Sequence, residues 1–300
     1  MKSPETRQLA EGVYAYVQPD GGWCVSNAGI IVGDEATVLV DTAATERRTR
    51  LLAEQVARVS PQPPDVLINT HFHGDHVFGN SVFSPRATIV AHELTRVEML
   101  EAGHGLRNLW PDVDWGDTPI TPPTITFRDA ITVFAGQLRL EVIHVGPAHT
   151  TNDSVIWVPD KRILFAGDVL MSGVTPFCLM GSLAGSLRAI DRLRALDPEI
   201  IVPGHGHVGG KELLEQNESY LLWLQQLATD GVRSGLSVLD LAAESPLGEF
   251  AELLDPERLV GNLHRAYAEQ MGQPLGAPLD VLKAFQDMVA HHGRLPDCHA

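Results

Sequence analysis

Apolar and polar positions follow two rhythms along the first two-thirds of the chain. Ala28-Gly-Ile-Ile-Val32 and Ala36-Thr-Val-Leu-Val40 are short apolar runs separated by Gly33-Asp34-Glu35, which predicts two strands paired across a turn. From Glu46 to Val59 the spacing becomes helical and amphipathic. Val66-Leu67-Ile68 opens a strand-helix unit over 65–81, and the same order recurs over 87–91 and 92–101. Residues 124–166 read mostly as strands, with a helix over 184–196 and a strand over 199–202 closing the series. From Lys211 the texture is helical, over 211–230, 237–243, 256–270 and 278–290. The first of these carries Leu213, Leu214, Leu221 and Leu224 among polar residues, the mark of one apolar face. The expected organisation is an α/β catalytic domain over 1–210 and a C-terminal helical extension over 211–300. No Gly/Ser-rich linker separates them, so the extension should dock on the core.

Chemistry concentrates where strands end. Thr70-His-Phe-His-Gly-Asp-His76 closely follows Val66-Leu67-Ile68. Along extended backbone His71 and His73 face the same way, toward one ion. Past a turn at Gly74, Asp75 and His76 can reach a second. His149 lies in the loop Gly146 to Asp153 after the alternating run Leu138 to Val145, Asp168 ends Arg162 to Asp168, and His205 follows Ile200 to Gly204. Loops carried on a rigid sheet are the common place for reactive groups. Five imidazoles and two carboxylates can hold two divalent cations and still leave a coordination position for water. These donors suit zinc, and they also accept iron or manganese. His92 and His264 stand alone and are expected to be structural.

The residues Val40-Asp41-Thr42, the motif at 71–76, His149, Gly167-Asp168 and Gly204-His205-Gly206 together resemble the metallo-β-lactamase fold superfamily over roughly residues 10–210. The resemblance implies a four-layer αββα sandwich. It implies one metal on His71, His73 and His149, a second on Asp75, His76 and His205, and Asp168 between them. Asp75 and Asp168 are then the catalytic carboxylates, Asp75 also relaying a proton to the leaving group. A water bridging two such ions is acidic near neutral pH, so the expected reaction is attack of a metal-bridging hydroxide on an acyl bond. Asp41 and Thr70 are expected to orient ligand rings, and His207 to stand behind the ligands.

Within that superfamily, antibiotic-hydrolysing members typically carry Cys or Ser at the position of Asp168, which argues against a β-lactamase. Flavin-coupled diiron members carry Glu where this chain has His73, and persulfide-oxidising members use a single iron. The runs His73 to Asn80, Pro147 to Asp153 and Gly181 to Ser186 look most like the aromatic polyketide cyclase and thioesterase branch, implying a small-molecule or carrier-bound acyl thioester as substrate. A lactonase or other ester hydrolase is the alternative within the fold. A non-catalytic metal-binding module and an iron-dependent oxidoreductase are the alternatives of another class.

Composition narrows the partners. The chain has 300 residues, 44% hydrophobic and 20% charged, enough for one large core and a smaller appended unit. A net charge of −16 disfavours a nucleic-acid groove, which needs clustered cations. The N-terminal run Met1-Lys-Ser-Pro-Glu-Thr-Arg-Gln lacks the apolar core of a signal peptide and no run reaches spanning length, so a cytoplasmic protein without membrane contact is expected. Cys24, Cys178 and Cys298 are too few and too scattered for a disulfide framework. Trp23 in Gly21 to Asn27, Trp115 in 110–123, and Phe177 and Met180 in 171–182 are candidates for the substrate rim, and the C-terminal helices for a pocket wall or a homodimer contact.

Overall fold

The computed structural model describes residues 3–300. β3 (Ala28–Val32) and β4 (Thr37–Val40) pair antiparallel with Val32 opposite Thr37, as the turn between them predicts. They sit in a seven-stranded sheet whose order follows the chain from β1 (Glu5–Ala10) and β2 (Val13–Val17) to β5 (Val66–Ile68), β6 (Thr88–His92) and β7 (Ile125–Phe127). The first four strands are antiparallel, and β4 to β7 are parallel. The second sheet runs β12 (Ile200–His205), β11 (Ile163–Met171), β10 (Ser154–Val158), β9 (Leu138–His144), β8 (Ala130–Ala135), with only β11 and β12 parallel.

Side-chain alternation assigns the layers. In β3, Ile31 joins the cluster between the sheets while Ile30 faces α1 (Glu46–Val59) through Leu52 and Val56. In β10 and β11, Ile156, Val158, Ile163 and Phe165 face the first sheet, and Val155, Trp157, Leu164 and Ala166 face the opposite helical layer. Strands buried on both faces in this way require helices on both outer surfaces. Each fully buried Ile or Leu contributes on the order of 1.5–3 kcal/mol. The result is the expected αββα sandwich. α1 is fixed at its start by Thr45, whose hydroxyl accepts from Arg48 N at 3.3 Å.

The helices α5 (Leu183–Ala195), α6 (Glu212–Ser234), α7 (Val238–Glu244), α8 (Arg258–Gln270) and α9 (Val281–His292) cover the second sheet. Their apolar residues Leu213, Leu224, Leu241, Leu263 and Met288 belong to the same cluster as Leu164 and Ile201. The described cysteines are free thiols. Among the described residues no helix is long and apolar enough to cross a membrane.

Two local expectations are corrected. Asp168 does not end its strand: β11 continues to Met171, and its register against β12 shifts on either side of Gly167, which has φ +52°. The irregularity redirects the carboxylate at mid-strand. Gly74 makes no special turn but opens the short helix α2 (Gly74–Val77), and a Cβ there would meet the Phe78 ring at 2.4 Å, so any larger residue must displace that ring.

Candidate metal centre

All seven predicted residues converge. His71, His73, Asp75 and His76 follow β5 and α2 begins among them, His149 comes from the β9–β10 loop, Asp168 from β11 and His205 from the end of β12. Donor atoms of His71, His73, His149 and Asp168 lie within 4.8 Å of one another, as do those of Asp75, His76 and His205. Asp168 stands between the groups, with Oδ2 3.3 Å from both His149 Nε2 and His205 Nε2, and Oδ1 3.1 Å from His76 Nε2. Asp75 Oδ2 is 3.3 Å from His205 Nε2.

The ring orientations are set from behind. Asp41, at the end of β4, accepts from Thr70 N at 2.8 Å, from the Thr70 hydroxyl at 2.7 Å and from His76 Nδ1 at 2.9 Å. With its proton committed to Asp41, the Thr70 oxygen accepts from His71 Nδ1 at 3.0 Å. His149 Nδ1 donates to Phe177 O at 2.5 Å, and His205 Nδ1 to Gly21 O at 2.8 Å. In the neutral rings these bonds leave Nε2 of all four as a lone pair aimed inward. Asp41 and Thr70 thus occupy the orienting places expected of them. His207 does not: it is exposed, on the far side of Gly206.

Whether cations fit can be judged from unpaired atoms. Nε2 of His71, His73 and His76 and Oδ1 of Asp168 are buried without a hydrogen-bond partner. His73 Nδ1 and His149 Nε2 face each other at 2.8 Å, which requires a proton or a cation between them. Leaving one buried polar atom unpaired costs about 1–3 kcal/mol, so a cluster of them calls for ions rather than apolar packing. The donor set and its inward lone pairs fit two divalent metals.

Electrostatics divides the two groups. Burial lowers His71, His73 and His149, His73 to about 3, so these rings are neutral near pH 7. Burial also pulls on His76 and His205, but the Asp168 and Asp75 carboxylates outweigh it, raising His76 and holding His205 at about 9. Burial raises Asp75 and Asp168 in turn, yet the facing imidazoles hold both below the usual carboxylate range. A metal entering the Asp75, His76 and His205 group must therefore displace protons, whereas one entering the other group need not. Bound metal should rise from about one ion at about pH 6 to about two near pH 9. Elemental analysis after equilibration at each pH tests this, and equal loading at both would contradict it.

A cavity of about 310 Å³ opens onto His73, Asp75, His149, Asp168 and His205. Its other walls include Trp23, Phe177 and Met180 from loops and Val281, Leu282 and Phe285 from α9. Trp23 is both core and wall: it is buried, meets Phe177 edge-on at 5.4 Å, and donates from Nε1 to Glu257 Oε1 at 2.6 Å. Trp115, a rim candidate, is not itself in the cavity lining but packs edge-on against Phe78, which is. His92 accepts from Leu94 N at the start of α4 (Glu93–Ala102) and stacks on His144, while His264 pairs with Asp287, so neither joins the cluster.

The sequence predicts the helix over 256–270, found as α8, without a role for its polar residues. Arg258, Asn262, Arg265 and Glu269 recur at helical spacing along one stripe of it, flanked by buried Leu259, Val260, Leu263 and Ala266. Such a stripe is normally apolar. Polar residues on it mark a helix face that bonds to something, a signal the sequence already carried.

Comparison with known proteins agrees with this geometry. A metallo-beta-lactamase type 2 of Bacteroides fragilis is 26% identical over 223 residues, covering 70% of this chain and 82% of that protein. The acyl-coenzyme A thioesterase MBLAC2 of Bos taurus is 26% identical over 217 residues, covering 63% and 76% respectively. The structure of a metallo-beta-lactamase from Pontibacter korlensis superposes with a TM-score of 0.62 at 24% identity, over 73% of this chain and 99% of that one, a likeness of fold. Residues 21–205 match the family model of the Metallo-beta-lactamase superfamily, and the chain belongs to that superfamily of metal-dependent hydrolases.

Proposed function

We propose that the protein hydrolyses the thioester of a bulky, largely apolar acyl group, borne by a small molecule or a carrier, with His71, His73 and His149 holding one zinc-type ion, Asp75, His76 and His205 the other, and Asp168 touching both. The observation that carries the reading is the apolar cavity opening directly onto five of the seven donors, His73, Asp75, His149, Asp168 and His205. Similarity to an acyl-coenzyme A thioesterase supports it. Bound divalent ions would supply an acidified water and an electrophilic pull on the carbonyl oxygen. The chain supplies the rest. Trp23, Phe177 and Phe285 hold the acyl body and exclude water, and Asp168 fixes the spacing of the two donor groups. Asp75, ionised at rest, would take the proton lost by the attacking water and pass it to the departing sulfur. The aromatic walls also suit a planar product, so ring closure coupled to release belongs to the same proposal.

The test is kcat/KM of metal-loaded protein on acyl thioesters and on lactones of similar size. Thioesters should be preferred by tenfold or more; preference for lactones would overturn the assignment. Leu282 tests the wall separately, because at 66% exposed it contributes little to the fold. Leu282→Asp is expected to raise KM for a bulky acyl substrate about tenfold, with kcat and Tm nearly unchanged, as loss of roughly 1.4 kcal/mol of apolar contact requires. An unchanged KM would remove α9 from the substrate wall.

A further inference from the structure

The polar stripe of α8 is a template for the backbone of residues 175–184. Arg258 Nη1 donates to Thr175 O at 3.1 Å. Asn262 Nδ2 donates to Pro176 O at 2.7 Å, and its Oδ1 accepts from Cys178 N at 2.9 Å. Arg265 donates to Leu179 O from Nε at 3.0 Å and from Nη2 at 2.8 Å. Glu269 accepts from Leu183 N at 2.9 Å and Ala184 N at 3.0 Å, satisfying the first turn of α5 beside its Ser182 cap. Each of these side chains reaches main-chain atoms of this segment; Arg258 Nη2 also pairs with Asp255 Oδ2 at 2.9 Å, and Asn262 Nδ2 also donates to Tyr220 Oη at 3.1 Å. Asn262 grips the peptide groups on both sides of Phe177, whose carbonyl turns the other way and accepts from His149 Nδ1.

We infer that Asn262 is a positioning residue for His149, fixing through the Phe177 carbonyl the ring's rotation and the tautomer that aims Nε2 inward. Asn262 is itself neither a lining residue of the cavity nor one of the donors. Its two bonds set the plane of the peptide whose oxygen His149 must meet. Without them the 176–178 backbone can rotate, the carbonyl leaves the ring plane, and Nδ1 and Nε2 exchange roles at little cost. The second tie between the two loops, Ser182 N to Ala148 O at 2.8 Å, holds the backbone near His149 but leaves its ring free. A helix outside the sandwich thereby governs a donor inside it.

The inference rests on the reading of His149 as a metal donor, and the experiment separates the two. Affinity for zinc is measured by chelator competition on the full-length protein, together with the visible absorption of the cobalt-substituted form and the 15N resonances of histidine. Asn262→Leu is expected to weaken binding of the first ion by about 10–100-fold, the range for partners that orient a ligand, to alter the cobalt spectrum and to move the His149 Nδ1 resonance. Asn262→Asp keeps the acceptor for Cys178 N and loses the donor to Pro176 O, so it should fall between; it is also the working variant if the leucine form does not fold. Leu241→Ala removes buried contact elsewhere in the helical layer and should lower Tm while leaving zinc affinity unchanged. If the Asn262 variants bind zinc like the wild type, or if Leu241→Ala weakens binding as much, the positioning role is wrong. If His149→Ala itself leaves affinity intact, the assignment of the donor fails instead.

Discussion

Alanine in place of Asp168 is expected to lower kcat/KM by on the order of 10³-fold or more, beyond the 10–100-fold that an orienting partner contributes. The same change should deplete metal from both donor groups. Asp168 is the one carboxylate that reaches into both, at 3.1–3.3 Å from His76, His149 and His205. The metal-free protein gives a second readout. His205 is raised to about 9 and His76 is raised as well, by carboxylates among which Asp168 ranks first. A raised folded-state value means that the protonated rings add stability fully present below the unfolded value of about 6.5 and lost as pH rises through about 9. Wild-type protein without metal should therefore lose urea resistance between about pH 6.5 and pH 9, and Asp168→Ala should show a weaker dependence. Retention of turnover by the variant, or parallel pH profiles of stability, would remove Asp168 from the centre of the site.

The second large effect is expected at Gly204→Ala. A Cβ at this position would stand 1.9 Å from Asp168 Oδ1, 2.7 Å from Gly167 C and 2.8 Å from Asp168 N. The backbone here is held tightly, because Gly167 pairs with Pro203 and Asn27 donates from N to Gly204 O at 2.7 Å and from Nδ2 to Pro203 O and Gly206 O. The methyl must either part the strands or expel the carboxylate. A cost of about 3 kcal/mol, at the upper end of ordinary overpacking, is expected, together with loss of metal from the Asp75, His76 and His205 group. Gly235→Ala is the comparison: its φ is +68° at the end of α6, but no atom stands within 4 Å of the added carbon. That change should cost only about 1 kcal/mol and leave metal content alone. Urea midpoints and elemental analysis of both proteins decide the point. Equal stability of the two variants would show that the close approach at Gly204 is relieved without consequence.

The central strands were legible as short apolar runs and the four layers through the family resemblance; which face each residue takes was not, since Ile30 and Ile31, adjacent in one such run, go to opposite faces. The donors were legible for a different reason. His71 to His76 is dense in unusual residue types, and the later three recur after apolar runs. Position within a strand was harder to read. Asp168 looks like a strand end because Ala166-Gly167 precedes it, and only the register shift against β12 reveals that the strand resumes. His207 is expected behind the ligands from its place beside His205, but one residue of turn separates a buried ring from an exposed one. Trp115 and Phe177 carry the same sequence signal of an aromatic group in an irregular loop, and tertiary packing alone puts one behind Phe78 and the other in the cavity wall. The α8 stripe was visible but unread, since Arg258, Asn262 and Arg265 each bond main-chain atoms of a remote loop that no local pattern discloses.

The donors come from two different sheets: His71, His73, Asp75 and His76 continue from the seven-stranded one, and His149, Asp168 and His205 belong to the five-stranded one. An ion gripped by both acts as a rivet through the sandwich, and its occupancy enters the unfolding equilibrium of the whole chain. At free metal about 100-fold above its dissociation constant, each ion would add about 2.7 kcal/mol against unfolding. Scarcity of metal would then shorten the survival of the protein against proteases as well as silence it.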